Sequence, residues 1–429
     1  MTGESPTSSA ITAAWRHEST RLVAGLARMT RDLDLAEDLA QDALVAALEQ
    51  WPSSGVPANP AAWLMAVAKR RAVDHVRRGE VARRRTAELG HDLEEAEMAD
   101  LTDAVDHIED DVLRLMFLTC HPVLSPEGRT ALTLRLVGGL TTAEIARASF
   151  TKEATVGQRI SRAKRTLASV SFDAPVGAER EARLADVMAV VYLVFNEGYA
   201  ATAGAGWTRP ELCREATRIA RMLAALVPDD PEVLGLQALL ELQSSRLPAR
   251  LDADGRPVRL EQQDRSRWDL LLAHRGLRAL ERATALGKPV GTYFLQASIA
   301  ACHARARDAA DTDWRRIAGW YDLLAEHAPG PVVEVNRAVA HGRAFGADRG
   351  LAVLDAIPGA ALAGSPLRDS VRGDLLVQAG RWAEAEAPFR RAAQLTPNEG
   401  ERSLLLTRAN EAAVMSLDAR PEAEFRPDG

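Results

Sequence analysis

A short stretch of the chain, Asn59 to Arg78, combines an aromatic ring with a high density of arginine. Plotted at about 100° per residue, it predicts an amphipathic helix whose polar face carries Trp63 among charged side chains. Such a face suits single-stranded nucleic acid, because bases stack on the ring and guanidinium groups pair with phosphates. The alternative is a solvated basic face with Trp63 buried against a neighbouring helix. The candidate nucleic-acid contacts are Asn59, Trp63, Arg70, Asp74, Arg77 and Arg78.

A second basic motif, Leu140 to Leu167, has the pattern of a helix-turn-helix. Thr141 and Glu144 have the spacing of a capping box at the start of its first helix. In its second helix, apolar residues recur so that the opposite face carries arginine and glutamine, which read base edges in the major groove. Any short helical hairpin produces a similar pattern. The candidate DNA contacts are Lys152, Thr155, Gln158, Arg159, Arg162, Lys164 and Arg165.

An acidic segment, Asp34 to Pro52, precedes the first basic one and has the apolar periodicity of a helix. Its apolar stripe should pack on the rest of its domain, while acidic and amide groups crowd the other face. Taken alone, this face is a solvated one. Beside a nucleic-acid-binding surface, the alternative is a docking site for a large basic partner. The candidate docking residues are Glu37, Asp38, Gln41 and Asp42.

The overall charge limits what these motifs can do alone. The chain has 53 Lys and Arg residues against 60 Asp and Glu residues, a formal net charge of −7. Because phosphate neutralisation dominates nucleic-acid affinity, this balance argues against a protein that binds DNA tightly by itself. Positive charge is concentrated in two islands, 69–85 and 152–165, on either side of an acidic stretch. Ala, Leu, Arg and Glu are abundant and β-branched runs are scarce, which predicts an all-α fold.

Common motifs of catalysis and metal binding are missing from the sequence. It has no Walker loop, GxSxG elbow or HExxH motif, and Cys120, Cys213 and Cys302 lack metal-ligand spacing. We therefore expect no catalytic residue, no metal, no cofactor and no enzymatic activity. The longest apolar run, Val187 to Phe195, is shorter than the ~20 residues that cross a bilayer. With no signal-peptide pattern at the N-terminus, we expect a cytoplasmic protein without a membrane partner.

Four parts follow one another along the chain. Residues 10–80 form a first helical domain, 81–105 an acidic linker, 106–170 a second helical domain, and 180–415 a long helical extension. In the extension, small residues and prolines around Gly373, Phe389 and Pro397 have the spacing of a tetratricopeptide unit. Pro228 and Pro329 end comparable segments less regularly. The extension is therefore either a tetratricopeptide-like array or a generic antiparallel helical array, and NEGY, at 196–199, caps a helix or contributes to a ligand site.

Three motifs occurring together resemble one family. DLAEDLAQDALVAALEQW, NPAAWLMAVAKRRAVDHVRR and LTLRLVGGLTTAEIARASFTKEATVGQRISRAKR stand in the order found in extracytoplasmic-function (ECF) sigma factors of bacterial RNA polymerase. This resemblance covers about residues 10–170. The later stretches LRLMFLTCHPVLSPEGRTALTLRLVGGL and DAPVGAEREARLADVMAVVYLVFNEGY resemble the subgroup of long ECF factors with a C-terminal helical extension.

The resemblance implies a partner for each surface. Asp34 to Gln50 would contact the clamp helices of the polymerase β′ subunit, with Asn59 to Arg78 melting the promoter −10 element and Thr151 to Arg165 reading the −35 element. The fold would be a sigma-2 domain and a sigma-4 domain followed by a tetratricopeptide-like array, which we expect to bind a protein or peptide and to act as a regulatory module. Because the core polymerase holds a sigma factor on DNA, two local basic faces suffice while the whole chain stays acidic.

Two other functions are compatible with parts of the sequence. A one-component regulator would use the helix-turn-helix and sense a ligand through the extension, but it leaves the segment Asn59 to Arg78 without a role. A tetratricopeptide scaffold would leave both basic faces unexplained. The sigma-factor hypothesis is the one that uses all three motifs.

Overall fold

The computed structural model of the chain describes residues 6–86, 108–149, 151–170, 175–199, 209–253, 255, 258–396 and 399–418. Within these ranges the chain is built from α-helices, with a few 3-10 turns between them, which confirms the predicted all-α fold. The helices form two compact units, Met1–Val194 and Phe195–Gly429.

The first unit holds the three motifs. Its helices are α1 (Pro6–Thr30), α2 (Leu33–Ser54), α3 (Pro60–Thr86), α4 (Ile108–Thr119), α5 (Pro126–Leu136), α6 (Thr142–Ala148), α7 (Glu153–Leu167) and most of α8 (Gly177–Tyr199). Two predicted boundaries differ. Helix α3 continues to Thr86, past the expected start of the linker at 81, and residues 87–105 lie outside the described ranges. Residues 180–194, expected in the extension, belong to the first unit.

Short polar caps fix where the helices of the first unit begin. The side chain of Asp32 accepts from the backbone of the first turn of α2, and Gly55 ends that helix with a φ of 82°. The Asn59 side chain accepts from Ala62 N at 3.0 Å and starts α3. The capping box predicted for Thr141 and Glu144 is confirmed at the start of α6.

The two N-terminal domains expected from the sequence share one compact unit. Helix α1 packs against α2 and α3 and also against α4, which belongs to the second expected domain. The largest buried side chains include Trp51, Leu22, Leu26, Leu64 and Met116, each less than 2% exposed. Because these side chains come from α1 to α4, the first three helices pack together with the start of the helix-turn-helix domain.

The second unit is a series of helices that pack mainly on their neighbours in the chain. They are α9 (Pro210–Leu226), α10 (Pro231–Ser244), α11 (Leu270–Ala285), α12 (Thr292–Arg305), α13 (Trp314–His327), α14 (Pro331–Phe345), α15 (Ala347–Asp355), α16 (Leu367–Gln378), α17 (Trp382–Leu395) and α18 (Glu399–Asp418). Pro228 and Pro329 follow the ends of α9 and α13, as the sequence predicted. Pro397 lies outside the described residues.

The pair α16 and α17 contains the best tetratricopeptide-like unit of the sequence. Phe389 is fully buried between the two helices, and a Cβ on Gly373 would lie 2.5 Å from its Cε1 atom. Only glycine therefore allows the two helices their present approach. Ala385 and Ala392 are also fully buried, and their small side chains let the helices pack closely at the same contact.

Among the described residues, no helix is long and apolar enough to cross a membrane. The same part of the chain contains no cluster of three or more His, Cys, Asp or Glu side chains that could hold a metal ion. Cys120, Cys213 and Cys302 are free thiols and all three are buried. Burial raises the pKa of Cys120 to about 11 and that of Cys213 to about 12, so both remain protonated thiols at neutral pH.

Candidate nucleic-acid interface

Helix α7 buries one face and exposes the other, as its periodicity predicts. The buried face consists of Val156, Ile160, Ala163 and Leu167, each 8% exposed or less. The opposite face carries polar and basic side chains that are exposed or partly exposed. These are Lys152, Thr155, Gln158, Arg159, Arg162 and Arg165. A helix with this division can lie against a DNA duplex while its apolar side stays in the core.

Neighbouring helices hold α7 in this orientation. Helix α7 packs on both α5 and α6. Helices α5 and α7 pack at ordinary contact distance, since a Cβ on Gly128 would lie 3.7 Å from the Cβ of Ala163. The Ser125 hydroxyl caps α5 by accepting from Gly128 N at 3.1 Å. Ordinary capping and helix packing thus position the exposed face of the second helix.

Lys164 does not belong to that exposed face, contrary to the sequence prediction. Its Nζ lies 2.7 Å from Asp34 Oδ1 and 2.7 Å from Glu37 Oε2, and its side chain is only 9% exposed. Burial tends to lower the pKa of Lys164, but hydrogen bonds and charge attraction from the two carboxylates outweigh it and the pKa is raised. The charged ammonium is therefore committed to α2.

The acidic face of α2 is divided in the same way. Asp38, Gln41 and Asp42 are exposed, as predicted, and Asp42 pairs with Arg71 of α3 at 3.1 Å. Glu37 differs, since it is only 8% exposed. Its Oε1 accepts from Arg135 Nε at 2.5 Å and from Gln41 Nε2 at 3.1 Å, while its Oε2 accepts from Lys164. Glu37 is thus an internal ion-pair centre in this structure.

On α3 the apolar stripe is buried and the basic side is exposed. Leu64, Ala68 and Ala72 are at most 1% exposed, whereas Arg70 and Asp74 face solvent. Trp63 is half-buried, and its ring meets Trp51 edge to face at a centroid distance of 5.4 Å. Asn59 uses its side-chain oxygen as a helix cap. The side chains of Arg77 and Arg78 lie outside the described part of the structure.

Three charged residues join these elements, and the sequence patterns did not identify them. Arg135 reaches Glu37 from α5, and Arg28 Nε of α1 lies 3.0 Å from the buried carboxylate of Asp111 in α4. Arg135 is the single charge inside an otherwise uncharged stretch, LTLRL. A charged residue in such a position is rarely buried without a partner, and that is the signal that could have indicated an ion pair.

Two parts of the first unit match known protein families. Residues 15–81 match the model of sigma-70 region 2, and residues 114–167 match the model of sigma-70 region 4. The ECF RNA polymerase sigma factor SigK of Mycobacterium sp. (strain KMS) is 30% identical over 159 residues, which are 35% of this chain and 77% of the relative. SigK of Mycobacterium ulcerans (strain Agy99) is 31% identical over 158 residues, which are 35% of this chain and 80% of the relative. The chain belongs to the ECF sigma factor family.

The family matches assign the helices of the first unit to two sigma-factor regions. Region 2 spans most of α1 to α3, and region 4 runs from the middle of α4 to the end of α7. The protein is therefore an alternative sigma factor with a helical domain fused after region 4. The two basic faces lie one in each region, and the acidic face of α2 lies in region 2.

The fused part has relatives of its own. Residues 183–284 match a family of unknown function, DUF6596. An uncharacterized protein of Rhizobium meliloti (strain 1021) is 43% identical over 384 residues, which are 88% of this sigma factor and 89% of the relative. A relative thus matches the chain across regions 2 and 4 and the extension together.

NEGY, at the end of α8, has a packing role in the second unit. A Cβ on Gly198 would lie 2.8 Å from Cys213 N, so glycine lets α8 approach α9. The Tyr199 hydroxyl accepts from Arg246 Nη2 at 2.7 Å, and the Arg250 guanidinium carbon lies 3.7 Å from the centre of the Tyr199 ring. These contacts account for the segment as a helix end, which was one of the two alternatives.

Proposed function

We propose that this sigma factor binds core RNA polymerase through the acidic face of α2 and directs it to promoters that α3 and α7 recognise. The docking residues are Glu37, Asp38, Gln41 and Asp42, and their partner is the clamp-helix surface of the β′ subunit. Two exposed apolar side chains on the same helix support this docking site, since Val45 and Leu48 are each 48% exposed. Apolar side chains among exposed acids are typical of a protein-binding surface.

For the −35 element, the proposal places Arg159 and Arg162 against base edges, with Lys152, Thr155, Gln158 and Arg165 along the duplex. The observation that carries it is the separation of the two faces of α7. All four apolar positions are buried, while Gln158 and Arg162 are exposed. A bidentate arginine–guanine contact discriminates between bases by about 1–3 kcal/mol.

For the −10 element, the proposal assigns the exposed basic side of α3. Trp63, Arg70 and Asp74 would contact the melted strand, with Asn59, Arg77 and Arg78 completing the face. Support comes from the half-exposed Trp63 ring, which contacts Trp51 edge to face and leaves part of its surface open for stacking. The acidic segment 81–105 would then lie in a polymerase channel between the two regions.

Promoter-selection experiments test the two DNA contacts separately. Arg162→Ala should lose preference at the −35 positions it reads, while its affinity for core polymerase stays unchanged. Arg147→Ala removes an exposed arginine of α6 and serves as the control. Charge reversal of Arg70 should leave promoter binding in place and reduce permanganate reactivity of −10 thymines. Unchanged −35 selectivity and normal melting in these variants would remove the proposed contacts.

The fused helical domain is proposed to regulate regions 2 and 4 and to bind a protein or peptide partner. Support comes from the series of paired helices in the second unit, an architecture that offers extended surfaces for such ligands. The protein as a whole is proposed to act in the cytoplasm, as a transcription regulator rather than an enzyme. In vitro transcription by the full chain, compared with a chain ending after α8, tests whether the domain changes promoter output.

A further inference from the structure

Two charged side chains of region 4 converge on one carboxylate of region 2. Lys164, from the recognition helix α7, and Arg135, from α5, both contact Glu37 of α2. Asp34, one turn earlier on α2, also accepts from Lys164 at 2.7 Å. The contacts join residues 98, 127 and 130 positions apart, so no local helix geometry requires them.

Burial strengthens the ion pair between Glu37 and Lys164. Glu37 is 8% exposed and the side chain of Lys164 is 9% exposed, which removes most of the solvent that screens an exposed ion pair. A carboxylate in such a position needs its cations, because a buried charge left without a partner is strongly unfavourable. Glu37 consequently cannot face another protein while Lys164 and Arg135 hold both of its oxygens.

Further contacts hold the two regions together on α1. Arg28 Nε lies 3.0 Å from Asp111, whose side chain is 2% exposed. The hydroxyl of Thr20 donates to the backbone oxygen of Val137 at 2.8 Å in a buried position. Helix α1 of region 2 also packs against α4 of region 4. Region 4 is therefore attached to region 2 along α1 as well as at the N-terminal end of α2.

We propose that the structure is a closed state of the sigma factor, in which region 4 occupies part of the face of α2 that docks on polymerase. Lys164 and Arg135 form the latch, and Glu37 has two mutually exclusive partners, region 4 or the polymerase. This inference rests on the proposed docking of α2. Binding to polymerase then requires region 4 to leave α2, which also frees α7 to reach a DNA element away from region 2.

The closed state leaves the DNA-reading side of α7 open. Arg162 and Gln158 are exposed, whereas Lys164 on the same helix is buried against α2. The latch thus controls access of polymerase to region 2 rather than access of DNA to region 4. Because a two-state equilibrium responds only to differential binding, a weaker latch raises the apparent affinity for polymerase by enlarging the open fraction.

A reversible cross-link tests the closed state directly. Asp34→Cys with Lys164→Cys places two thiols where Oδ1 and Nζ are 2.7 Å apart, and a bis-methanethiosulfonate cross-linker joins them through two reducible disulfides, releasing sulfinate. The three native cysteines are buried, which spares them from the reagent. We expect the linked full-length chain to bind core polymerase at least about tenfold more weakly than the same chain after reduction, a difference of roughly 1.4 kcal/mol. Equal binding before and after reduction would overturn the closed state.

The outcomes separate this inference from the proposed function. If the reduced chain binds polymerase and the linked chain binds equally well, docking stands and the latch is wrong. If the linked chain, the reduced chain and the unmodified chain all fail to bind core polymerase, the proposed docking itself is wrong. The closed-state inference is then wrong as well.

A latch variant gives an independent measurement. Lys164→Gln should increase affinity for core polymerase severalfold and lower energy transfer between dyes on exposed sites of regions 2 and 4. Lys164→Arg retains the charge and should restore both values. Arg147→Gln, which changes an exposed arginine of α6, is the matched control. Affinity and energy transfer that match the control would refute the latch, and thermal unfolding of each variant identifies any loss of fold.

Discussion

The first prediction concerns Arg183, a residue of α8 whose side chain caps the C-terminal turn of the neighbouring helix α4. Its Nη2 donates to the backbone oxygen of Phe117 at 2.6 Å, and the residue is 8% exposed. Phe117 lies in the last turn of α4, where carbonyl groups have no partner within the helix. Arg183→Met keeps most of the apolar length of the side chain and removes this donor.

The expected cost follows from the carbonyl that is left behind. Leaving a buried acceptor without a hydrogen bond costs about 1–3 kcal/mol, so we expect the first unit to lose about 2 kcal/mol. For a unit of this size, each kcal/mol lowers the melting temperature by roughly 2–4 °C, which gives a decrease of about 4–8 °C. The loss should be local at first, because α4 loses the cap of its C-terminal turn.

Thermal unfolding and hydrogen exchange measure the two effects. Amides of α4 that exchange through opening of the first unit should exchange about 30-fold faster in Arg183→Met than in the wild type, the factor for about 2 kcal/mol. Arg180→Met is the matched control, since Arg180 is an exposed residue of the same helix. If Arg183→Met matches Arg180→Met in melting temperature and in α4 exchange, the hydrogen bond does not stabilise the unit and the reasoning is wrong.

Three further predictions concern helix packing, capping and pH. Gly373→Ala should destabilise the second unit by about 1–3 kcal/mol, because the new methyl group meets the buried Phe389 ring, whereas Gly319→Ala has free space and should stabilise by about 0.5–1 kcal/mol in the same denaturant titration. Thr141→Ala should cost about 1 kcal/mol and speed amide exchange in α6, because it removes the observed capping box; unchanged exchange would contradict this. Burial, then the charges of two nearby arginines, lowers the pKa of His303 to about 3, so the folded state keeps the ring neutral while the unfolded state takes up a proton below about 6.5. Stability of the second unit should therefore fall as the pH is lowered from 6.5 to 5, with a slope that approaches about 1.4 kcal/mol per pH unit, and His303→Gln should remove that slope.

Local signals explain why the exposed and buried faces of the proposed DNA-binding helices were predictable. The capping box of Thr141 and the apolar spacing of Val156, Ile160 and Ala163 depend on residues a few positions apart. Side chains that share a helical face by sequence share it in the structure, because the period of the helix leaves no freedom. Periodicity therefore identified the exposed side of α7 correctly.

The residues that the sequence patterns misplaced are those whose role depends on distant partners. Lys164 and Glu37 both lie at positions that periodicity leaves polar, and a charged residue there is expected to be solvent-exposed. Their contact joins residues 127 positions apart, so only the packing of region 4 on region 2, including that of α1 against α4, brings them together. A helical wheel shows which way a side chain points and cannot show what stands opposite it.

Helix α8 shows that distant packing also decides where a domain begins. The segment 171–177 contains the helix-breaking residues Pro175 and Gly177, which made it the natural place to begin the extension. Yet Leu184, Val187 and Val191 are buried after this break, and Arg183 caps α4. A chain truncated within this segment, for example at residue 173, would thus lose part of the first unit itself. Reduced transcription by such a chain would not show that the extension regulates the sigma factor. A fair test of the extension must retain α8, because the fused domain begins, in physical terms, inside that helix.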